Sequence, residues 1–408
     1  MNLDLDFVRS CFPAFSEPSL EGWAHFENAG GSYACAPVIE QLHHYYVAMK
    51  LQPYAWSAAS IEAGCRMDAA RERMAAWLNV GADECHFGPS TSQQTYMLAQ
   101  AFRRHFMAGD EIIVTNQDHE ANIGAFRRLG DEGFTVREWQ VDLETGELDP
   151  AQLEQLLSER TRLVCFTHAS NIVASYNPVR AVVDRAHEAG AVTVVDGVSY
   201  CGHGFPDVSA LGADVYLFSL YKVYGPHQGV MTLTRDLNDA LPNQGHFFND
   251  DKPIARMLPA GPDHAQIAAS NGVIDYFDAV FDRHGGDPDA DPAQRAAEVL
   301  RLFQDHEHSL LQPLLDFLAY HPRARLIGRT RAEERAPTVA IDPNRHPVEL
   351  AEALAERKIG ASAGHFYAHR LIEALGLDPA RGVLRLSFVH YTEAAEVERL
   401  IEALDDLL

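Results

Sequence analysis

No cysteine occurs after Cys201 in this 408-residue sequence, and the absence limits the chemistry of its second half. Residues 202–408 cannot supply a thiolate nucleophile, because that chemistry requires a cysteine. The six cysteines form no C-x-x-C pair and no cluster with zinc-ligand spacing, so we expect them to be reduced thiols and predict no metal site. They are Cys11, Cys35, Cys65, Cys85, Cys165 and Cys201.

Positive charge and long apolar runs are also scarce. The chain carries 33 basic against 58 acidic residues, a net charge of -25, with no basic stripe. Binding to nucleic acid or an anionic lipid surface needs clustered Lys and Arg, so we expect neither partner. No run reaches the roughly 18 apolar residues that span a membrane. The start, MNLDLDFVRSCFPAF, lacks the basic and apolar regions of a signal peptide, which predicts a cytoplasmic location.

The middle of the chain alternates short apolar runs with helical patterns. The helical stretch Pro178–Ala189 is followed by Gly190, as a helix C-terminus often is. Strands alternating with helices predict an α/β fold with a mostly parallel sheet covered on both faces. The strand candidates, rich in Val, Ile and aromatic residues, are Glu111–Thr115, Leu163–Thr167, Ala191–Val195, Val215–Ser219 and Gly229–Thr234.

The last third differs, because amphipathic helices there alternate with a few strands. Val348–Lys358 and Glu393–Leu407 are predicted helices, and Val339–Ile341 and Val383–Val389 are predicted strands. This pattern indicates a smaller α+β domain, with a helix-rich region from about residue 266 bridging the two. We therefore predict an N-terminal segment (1–20) that packs on the small domain. The other units are a large ligand-binding domain (21–265) and the bridging helices with the small domain (266–408).

A carboxylate and an amine follow two of the predicted strands. Asp196 comes directly after one, and Lys222 follows the next, 26 residues later. Ligands of such sheets bind beyond the carboxyl ends of the strands. Pyridoxal phosphate (PLP) needs this pair, since a lysine forms the imine and an acid pairs with the pyridine nitrogen. Alone, the two could equally be a helix cap and a surface lysine.

Two further features support the same reading. Thr91 and Ser92 open a helical pattern, where backbone N–H groups and hydroxyls bind phosphate. His119 follows the strand candidate Glu111–Thr115 and could lie flat on a pyridine ring. An ordinary helix cap and a solvent-facing loop histidine remain the simpler alternatives for each feature taken singly.

Several motifs together resemble the class V aminotransferase and cysteine desulfurase group of fold-type-I PLP enzymes. The resemblance implies a large domain with a mostly parallel, seven-stranded type of sheet, a smaller α+β C-terminal domain, and a homodimer. In chain order the motifs are Phe26–Gly31 (FENAGG), Asp118–Asn122 (DHEAN), Thr167–Asn171 (THASN), Val195–Gly197 (VDG) and Phe218–Pro226 (FSLYKVYGP).

The resemblance implies roles for individual residues. Lys222 would hold PLP as a Schiff base, Asp196 would pair with the pyridinium, and His119 would stack on the ring. Arg385 matches the arginine that clamps the substrate α-carboxylate, for which a planar guanidinium is well suited. Further cofactor-binding candidates are Thr91, Ser92 and Ser219 at the phosphate, Asn171 near the ring hydroxyl or the substrate carboxylate, and Ser199 near the ring hydroxyl. Further substrate-binding candidates are Asn28, His365 and Tyr367.

The sequence departs from the desulfurases at the loop Gly364–Ala368. Desulfurases carry there the cysteine that accepts sulfur, whereas this chain has Tyr367. A phenol of pKa about 10 cannot accept sulfur as a thiolate does, so we expect no persulfide mechanism. Packing of the loop is the alternative role for Tyr367. In addition, Tyr221 rather than His precedes the lysine, and no Gly-Thr pair occurs near residues 261–263.

The core residues leave several reactions of an α-amino acid open. Once Lys222 has removed the α-proton, loss of a β-substituent gives elimination, proton return to the cofactor gives transamination, and return from the opposite face gives epimerisation. We predict a desulfurase-like lyase first, then an aminotransferase, then an epimerase resembling isopenicillin N epimerase. A non-enzymatic binding module is disfavoured because Lys222 and Asp196 are both present.

Overall fold

The computed structural model describes residues 2–408. The strands are β1 (Ala24–His25), β2 (Cys85–Gly88), β3 (Glu111–Thr115), β4 (Thr135–Trp139), β5 (Thr161–Thr167), β6 (Val192–Asp196), β7 (Val215–Ser219), β8 (Gly229–Leu233), β9 (Ala324–Ile327), β10 (Thr338–Pro343), β11 (Ile359–Gly360), β12 (Ser362–Gly364) and β13 (Val383–Ser387). The helices are α1 (Leu5–Ser10), α2 (Ala36–Ala48), α3 (Ala58–Trp77), α4 (Thr91–His105), α5 (Glu120–Arg127), α6 (Pro150–Leu156), α7 (Val179–Glu188), α8 (Val208–Leu211), α9 (Arg235–Ala240), α10 (Pro253–Arg256), α11 (His264–Ala269), α12 (Asn271–Arg283), α13 (Pro292–Ala319), α14 (Pro347–Glu356), α15 (His369–Ala374) and α16 (Ala394–Leu407).

A seven-stranded sheet forms the centre of the large domain, in the order β2-β8-β7-β6-β5-β3-β4. The five strands from β7 to β4 run parallel to one another, and β8 and β2 are antiparallel to their neighbours. The parallel strands β3 and β7 are buried along their whole length, which explains their nearly continuous apolar sequences. The predicted α/β class is confirmed.

The register of this sheet brings the polar residues that follow β5, β6 and β7 to one edge. Thr167 pairs with Asp196, and Asp196 pairs with Leu217, so β5 and β6 end level with each other and β7 extends two residues further at the same edge. Asp196 is itself the last residue of β6, and Lys222 follows β7 by three residues. This edge is therefore the expected place for a ligand.

The small domain is built on a four-stranded antiparallel sheet, in the order β12-β13-β10-β9. Its core contains apolar side chains of α13, α14 and α16, including Leu314, Leu350 and Leu400. β1 pairs in parallel with β11, which ties the N-terminal region to this domain. The smaller α+β domain is confirmed, while the exact boundaries at residues 20 and 265 stay a prediction.

A helix that spans a membrane must be both long and apolar. None of the helices between residues 2 and 408 meets both requirements.

Candidate active site

Lys222 ends a short 3-10 turn that follows β7, and its side chain lines a cavity of about 310 Å³. Burial and, to a smaller extent, the positive charge of Arg385 lower the pKa of Lys222 to about 8, although the charge of Asp196 opposes the shift. The turn packs closely on a neighbouring loop, since a Cβ at Gly202 would lie 2.9 Å from the Lys222 carbonyl oxygen. The amine is thus held in a place where its neutral, nucleophilic form is favoured.

Asp196 lies at the end of the neighbouring strand and lines the same cavity. It is buried, and its Oδ1 accepts a hydrogen bond of 2.8 Å from the backbone N–H of Val198. Burial raises the pKa of Asp196 to about 6, against the lowering effects of that N–H and of Lys222. A carboxylate beside an amine in one cavity is the pair that PLP requires.

Hydroxyl groups gather at one end of the cavity. Thr91 is the first residue of α4, and its Oγ1 forms a hydrogen bond with Ser219 Oγ at the end of β7. The start of α4 comes very close to β8, because a Cβ at Gly229 would lie 2.7 Å from the Thr91 nitrogen. Ser92 lines the same end and is exposed. Helix N–H groups and hydroxyls together suit a phosphate.

His119 precedes α5 and caps it. Its Nδ1 accepts a hydrogen bond of 3.0 Å from the backbone N–H of Ala121, which fixes the ring and leaves Nε2 for other partners. Burial lowers the pKa of His119 to about 3, with the charges of Lys222 and Arg385 acting in the same direction. The imidazole is therefore neutral near pH 7, as suits a flat ring lying on an aromatic cofactor.

Arg385 lies on β13 and reaches the edge of the large domain. Its guanidinium lies over the Phe366 ring, 3.8 Å from the centroid, and Nη1 donates to the Asn171 carbonyl oxygen at 3.3 Å. Asn171 Nδ2 in turn donates to the Phe366 carbonyl oxygen at 2.9 Å. Burial lowers the pKa of Arg385 to about 10, while Glu27 opposes the shift. The arginine is thus a fixed cation, available to a carboxylate.

Asn171 also carries a buried polar atom without a partner. Its Oδ1 accepts no hydrogen bond within residues 2–408, although the side chain lines the main cavity. A buried acceptor of this kind is normally satisfied by a ligand or by water. Ser199 lines the cavity too, near Asp196. Both positions fit groups that would contact the ring of PLP.

His365 and Tyr367 lie at the side of this site, on the loop between β12 and α15. Both line a separate, more open cavity of about 400 Å³ next to α5 and α15. Tyr367 is 68% exposed, its φ is 59°, and its carbonyl oxygen accepts a hydrogen bond of 2.8 Å from the Glu120 N–H. The Tyr367 ring lies 5.1 Å from that of His119. The loop thus lies beside the main cavity and does not line it.

Asn28 does not line the main cavity. Its Oδ1 accepts a hydrogen bond from the Tyr391 hydroxyl, and its Nδ2 donates to the carbonyl oxygens of His25 at 3.1 Å and Ser387 at 3.3 Å. The contacts with Ser387 and Tyr391 hold the N-terminal segment against the end of β13 and the residues that follow it. Asn28 lines only a small void beside Lys222, so its contact with a substrate stays a prediction.

Two contacts of the site were not expected from the sequence. The rings of Tyr221 and His227 stack inside the cavity, and the Phe366 ring supports Arg385. No sequence signal distinguishes His227 from a loop histidine, since it follows a Gly-Pro turn. Phe366 has a φ of 49°, an unusual conformation for an aromatic residue that no local pattern predicts.

The family model for aminotransferase class-V matches residues 24–247 and 298–400. The chain belongs to this family. Its members use PLP, and the residues around the cavity fit that cofactor: an amine, a buried carboxylate and a hydroxyl-lined helix start. The prediction of a PLP-dependent enzyme is confirmed at this level.

Similar proteins are found among curated sequences and solved structures. The chain is 34% identical to the aminotransferase-like protein FGM3 of Gibberella zeae, over 100% of this chain and 99% of that one. It is 30% identical to a cysteine desulfurase of Pectobacterium atrosepticum, over 99% and 98%. The apo structure of a cysteine desulfurase from Thermococcus onnurineus NA1 superposes with a TM-score of 0.85 at 23% identity, over 100% and 98%, which shows the shared fold.

Proposed function

We propose that this protein is a PLP-dependent lyase that eliminates a β-substituent from an α-amino acid without a persulfide intermediate on the enzyme. The observation that carries the proposal is the enclosed pair of Lys222 and Asp196, next to a loop that presents Tyr367 instead of a thiol. Bound PLP supplies an electron sink conjugated to the substrate Cα.

Lys222, Asp196 and Arg385 each have a separate role in the proposed reaction. Lys222, whose pKa is lowered to about 8, takes the proton from Cα, since a base with a pKa near the working pH transfers protons efficiently. Asp196 would pair with the pyridine nitrogen of bound PLP and keep it protonated. Arg385, fixed against Phe366, binds the α-carboxylate and thereby holds Cα near the amine.

The cysteines of the chain offer no substitute for a sulfur-accepting thiol. Cys35, Cys85, Cys165 and Cys201 are buried, and none of the six lies among the side chains that line the main cavity. Burial raises the pKa of the Cys201 thiol, which keeps it protonated and unreactive. A released sulfur or other leaving group would therefore pass to solvent, along the exposed side of Tyr367.

Aminotransfer is the second candidate, and it is favoured by the similarity to a protein described as aminotransferase-like. It uses the same Lys222, Asp196 and Arg385. It differs in where the proton returns, and it needs a keto acid to complete the cycle. Product analysis separates the two.

The cofactor assignment is tested by absorption spectroscopy and borohydride reduction. The purified protein should show the absorption band of a PLP imine, and reduction followed by peptide mass spectrometry should find the label on Lys222. The chain provides internal controls, because its other lysines, Lys50, Lys252 and Lys358, are all exposed. Lys222→Ala should lose the band, whereas Lys252→Ala should retain it. An unchanged spectrum in Lys222→Ala would refute the assignment.

The reaction is tested with a panel of amino acids in D₂O. A keto acid and ammonia in equal amounts indicate elimination. Conversion of the cofactor to its amine form indicates transamination, and deuterium at Cα with loss of chirality indicates epimerisation. Stable sulfur on a cysteine of the protein after incubation with L-cysteine would overturn the proposal of a mechanism without persulfide.

A homodimer is the assembly that we propose. Several large apolar side chains between α2 and the start of α3 are exposed to solvent, and the side chain of Trp56 is 99% exposed. Contiguous apolar surface of this kind usually marks a protein interface. Light scattering should give twice the mass of the chain, and Trp56→Glu should shift it to the monomer. The exposed members are Ile39, Tyr46, Val47, Leu51, Tyr54, Trp56 and Ile61.

A further inference from the structure

Tyr221 and His227 form a stacked pair on one wall of the main cavity. The ring centroids lie 4.8 Å apart and the planes are inclined by only 5°. Both side chains line the cavity; Tyr221 is half-buried, and His227 is exposed. A planar stack of this kind fixes the imidazole at small entropic cost, since Tyr221 already lies in a defined position next to Lys222.

This pair lies on the side of the cavity that carries the hydroxyl groups. Tyr221 is two residues from Ser219, whose Oγ bonds to Thr91 at the start of α4. The chain then turns through Pro226, and the hydrogen bond of 2.8 Å from the Leu220 N–H to the Gln228 carbonyl oxygen closes the loop. The segment that carries His227 is thus anchored to the turn that carries Tyr221.

The end of the cavity that carries the hydroxyl groups needs a full positive charge to balance a bound phosphate. A bound phosphate ester carries nearly two negative charges, and helix N–H groups with hydroxyls supply only partial positive charge. Lys222 is committed to the imine, and His119, with its pKa lowered to about 3, is neutral. Of the described side chains that line the cavity, His227 is the remaining one that can carry a positive charge.

We propose that His227 binds the phosphate group of the cofactor, held in place by its stack on Tyr221. The inference rests on the proposed imine between PLP and Lys222. It assigns to this chain a phosphate ligand beyond the hydroxyls of Thr91, Ser92 and Ser219. It also gives Tyr221 a positioning role through His227.

Comparing PLP with pyridoxal, which lacks the phosphate, tests the proposal on the full-length protein. The dissociation constants of both aldehydes are measured by titrating cofactor-free protein and following the imine band. In His227→Ala the affinity for PLP should fall about 10- to 100-fold, the usual cost of losing a hydrogen bond to a charged group. The affinity for pyridoxal should stay unchanged, because pyridoxal has no group for His227 to bind.

Two variants make the comparison specific. His227→Lys replaces the imidazole with an ammonium group and should retain PLP affinity within about threefold of wild type, since lysine also binds phosphate. His246→Ala is the matched control: His246 is also exposed and stacks on an aromatic ring, Phe248, but lies outside the cavity lining. It should change neither dissociation constant.

The failure of this inference is distinguishable from failure of the proposed function. If the wild type forms no imine with PLP on Lys222, the proposed function is wrong. If the wild type forms it but His227→Ala leaves the ratio of PLP to pyridoxal affinity unchanged, the assignment of His227 is wrong. An equal loss of affinity for both aldehydes would reveal a merely structural role and would also overturn the proposal.

Discussion

The pKa of Lys222 yields a quantitative prediction about its reactivity. Burial and the charge of Arg385 lower that pKa to about 8, from an ordinary value of 10.5. At pH 7.5 about a quarter of the Lys222 amines are then neutral, against about one in a thousand for an ordinary lysine. Lys222 of the cofactor-free protein should therefore react with an acylating reagent about 200-fold faster than the same lysine would with an ordinary pKa.

Trace acetylation with acetic anhydride across a pH series measures this directly. Peptide mass spectrometry gives the labelled fraction of each lysine, and the exposed residues Lys50, Lys252 and Lys358 serve as references in the same sample. Labelling of Lys222 should reach half its plateau near pH 8. The opposing charges predict the direction of two variants: Arg385→Gln should raise this midpoint, and Asp196→Asn should lower it further.

Two outcomes would contradict this explanation of the lowered pKa of Lys222. If the Lys222 midpoint lies near 10.5 with the reference lysines, burial does not control this amine. If Arg385→Gln leaves the midpoint in place, the arginine does not act on Lys222 through its charge. Restricted access of the reagent would lower the plateau without moving the midpoint, so the two effects are separable.

Three further changes test the surroundings of the site. Burial raises the pKa of Asp118 to about 7, so the folded state binds more protons than the unfolded state between pH 4 and 7, and stability falls as pH rises. Asp118→Asn should remove about 2.5 kcal/mol of this pH dependence, measured as the difference in urea unfolding free energy between pH 5 and pH 7.5. Gly229→Ala, whose Cβ would meet the Thr91 nitrogen at 2.7 Å, should displace the start of α4 and weaken PLP binding about tenfold, read from the imine titration. Arg335 is fully buried and donates to the carbonyl oxygens of Ile327, Arg329 and Thr338, so Arg335→Met should cost about 3 kcal/mol or more of unfolding free energy.

The sequence predicts the centre of the site because local rules govern it. Runs such as Val215–Ser219 must be buried strands, and parallel strands end at one edge, so Asp196 and Lys222 were expected to meet. The observed bounds of β5, β6 and α7 differ from the expected ones by only one or two residues. Such ends depend on a few hydrogen bonds, which the apolar pattern does not specify.

Contacts between distant segments were beyond sequence reasoning. Asn28 stays a predicted substrate-binding residue, but the hydrogen bonds of its amide with Tyr391, His25 and Ser387 could not be predicted from the sequence. The Asn28 sequence neighbourhood resembles a substrate-binding segment, whereas its orientation depends on a tyrosine 363 residues away. β2 was missed for a related reason, since its four residues pair only with β8 and carry no alternation of their own.

The loop with Tyr367 is the part of the site that we expect to decide between the possible reactions. Lys222, Asp196 and Arg385 lie on the turn after β7 and on the strands β6 and β13, and in the proposed function they would serve elimination and transamination alike. Phe366 and Tyr367 instead adopt φ values near 50–60°, which side chains other than glycine rarely do, so surrounding contacts must hold them. Those contacts are the hydrogen bonds from Asn171 to Phe366 and from Glu120 to Tyr367. Because Asn171 lines the cofactor cavity and the two neighbours of Glu120, His119 and Ala121, line it too, a ligand that moves either segment should also move the loop with Tyr367.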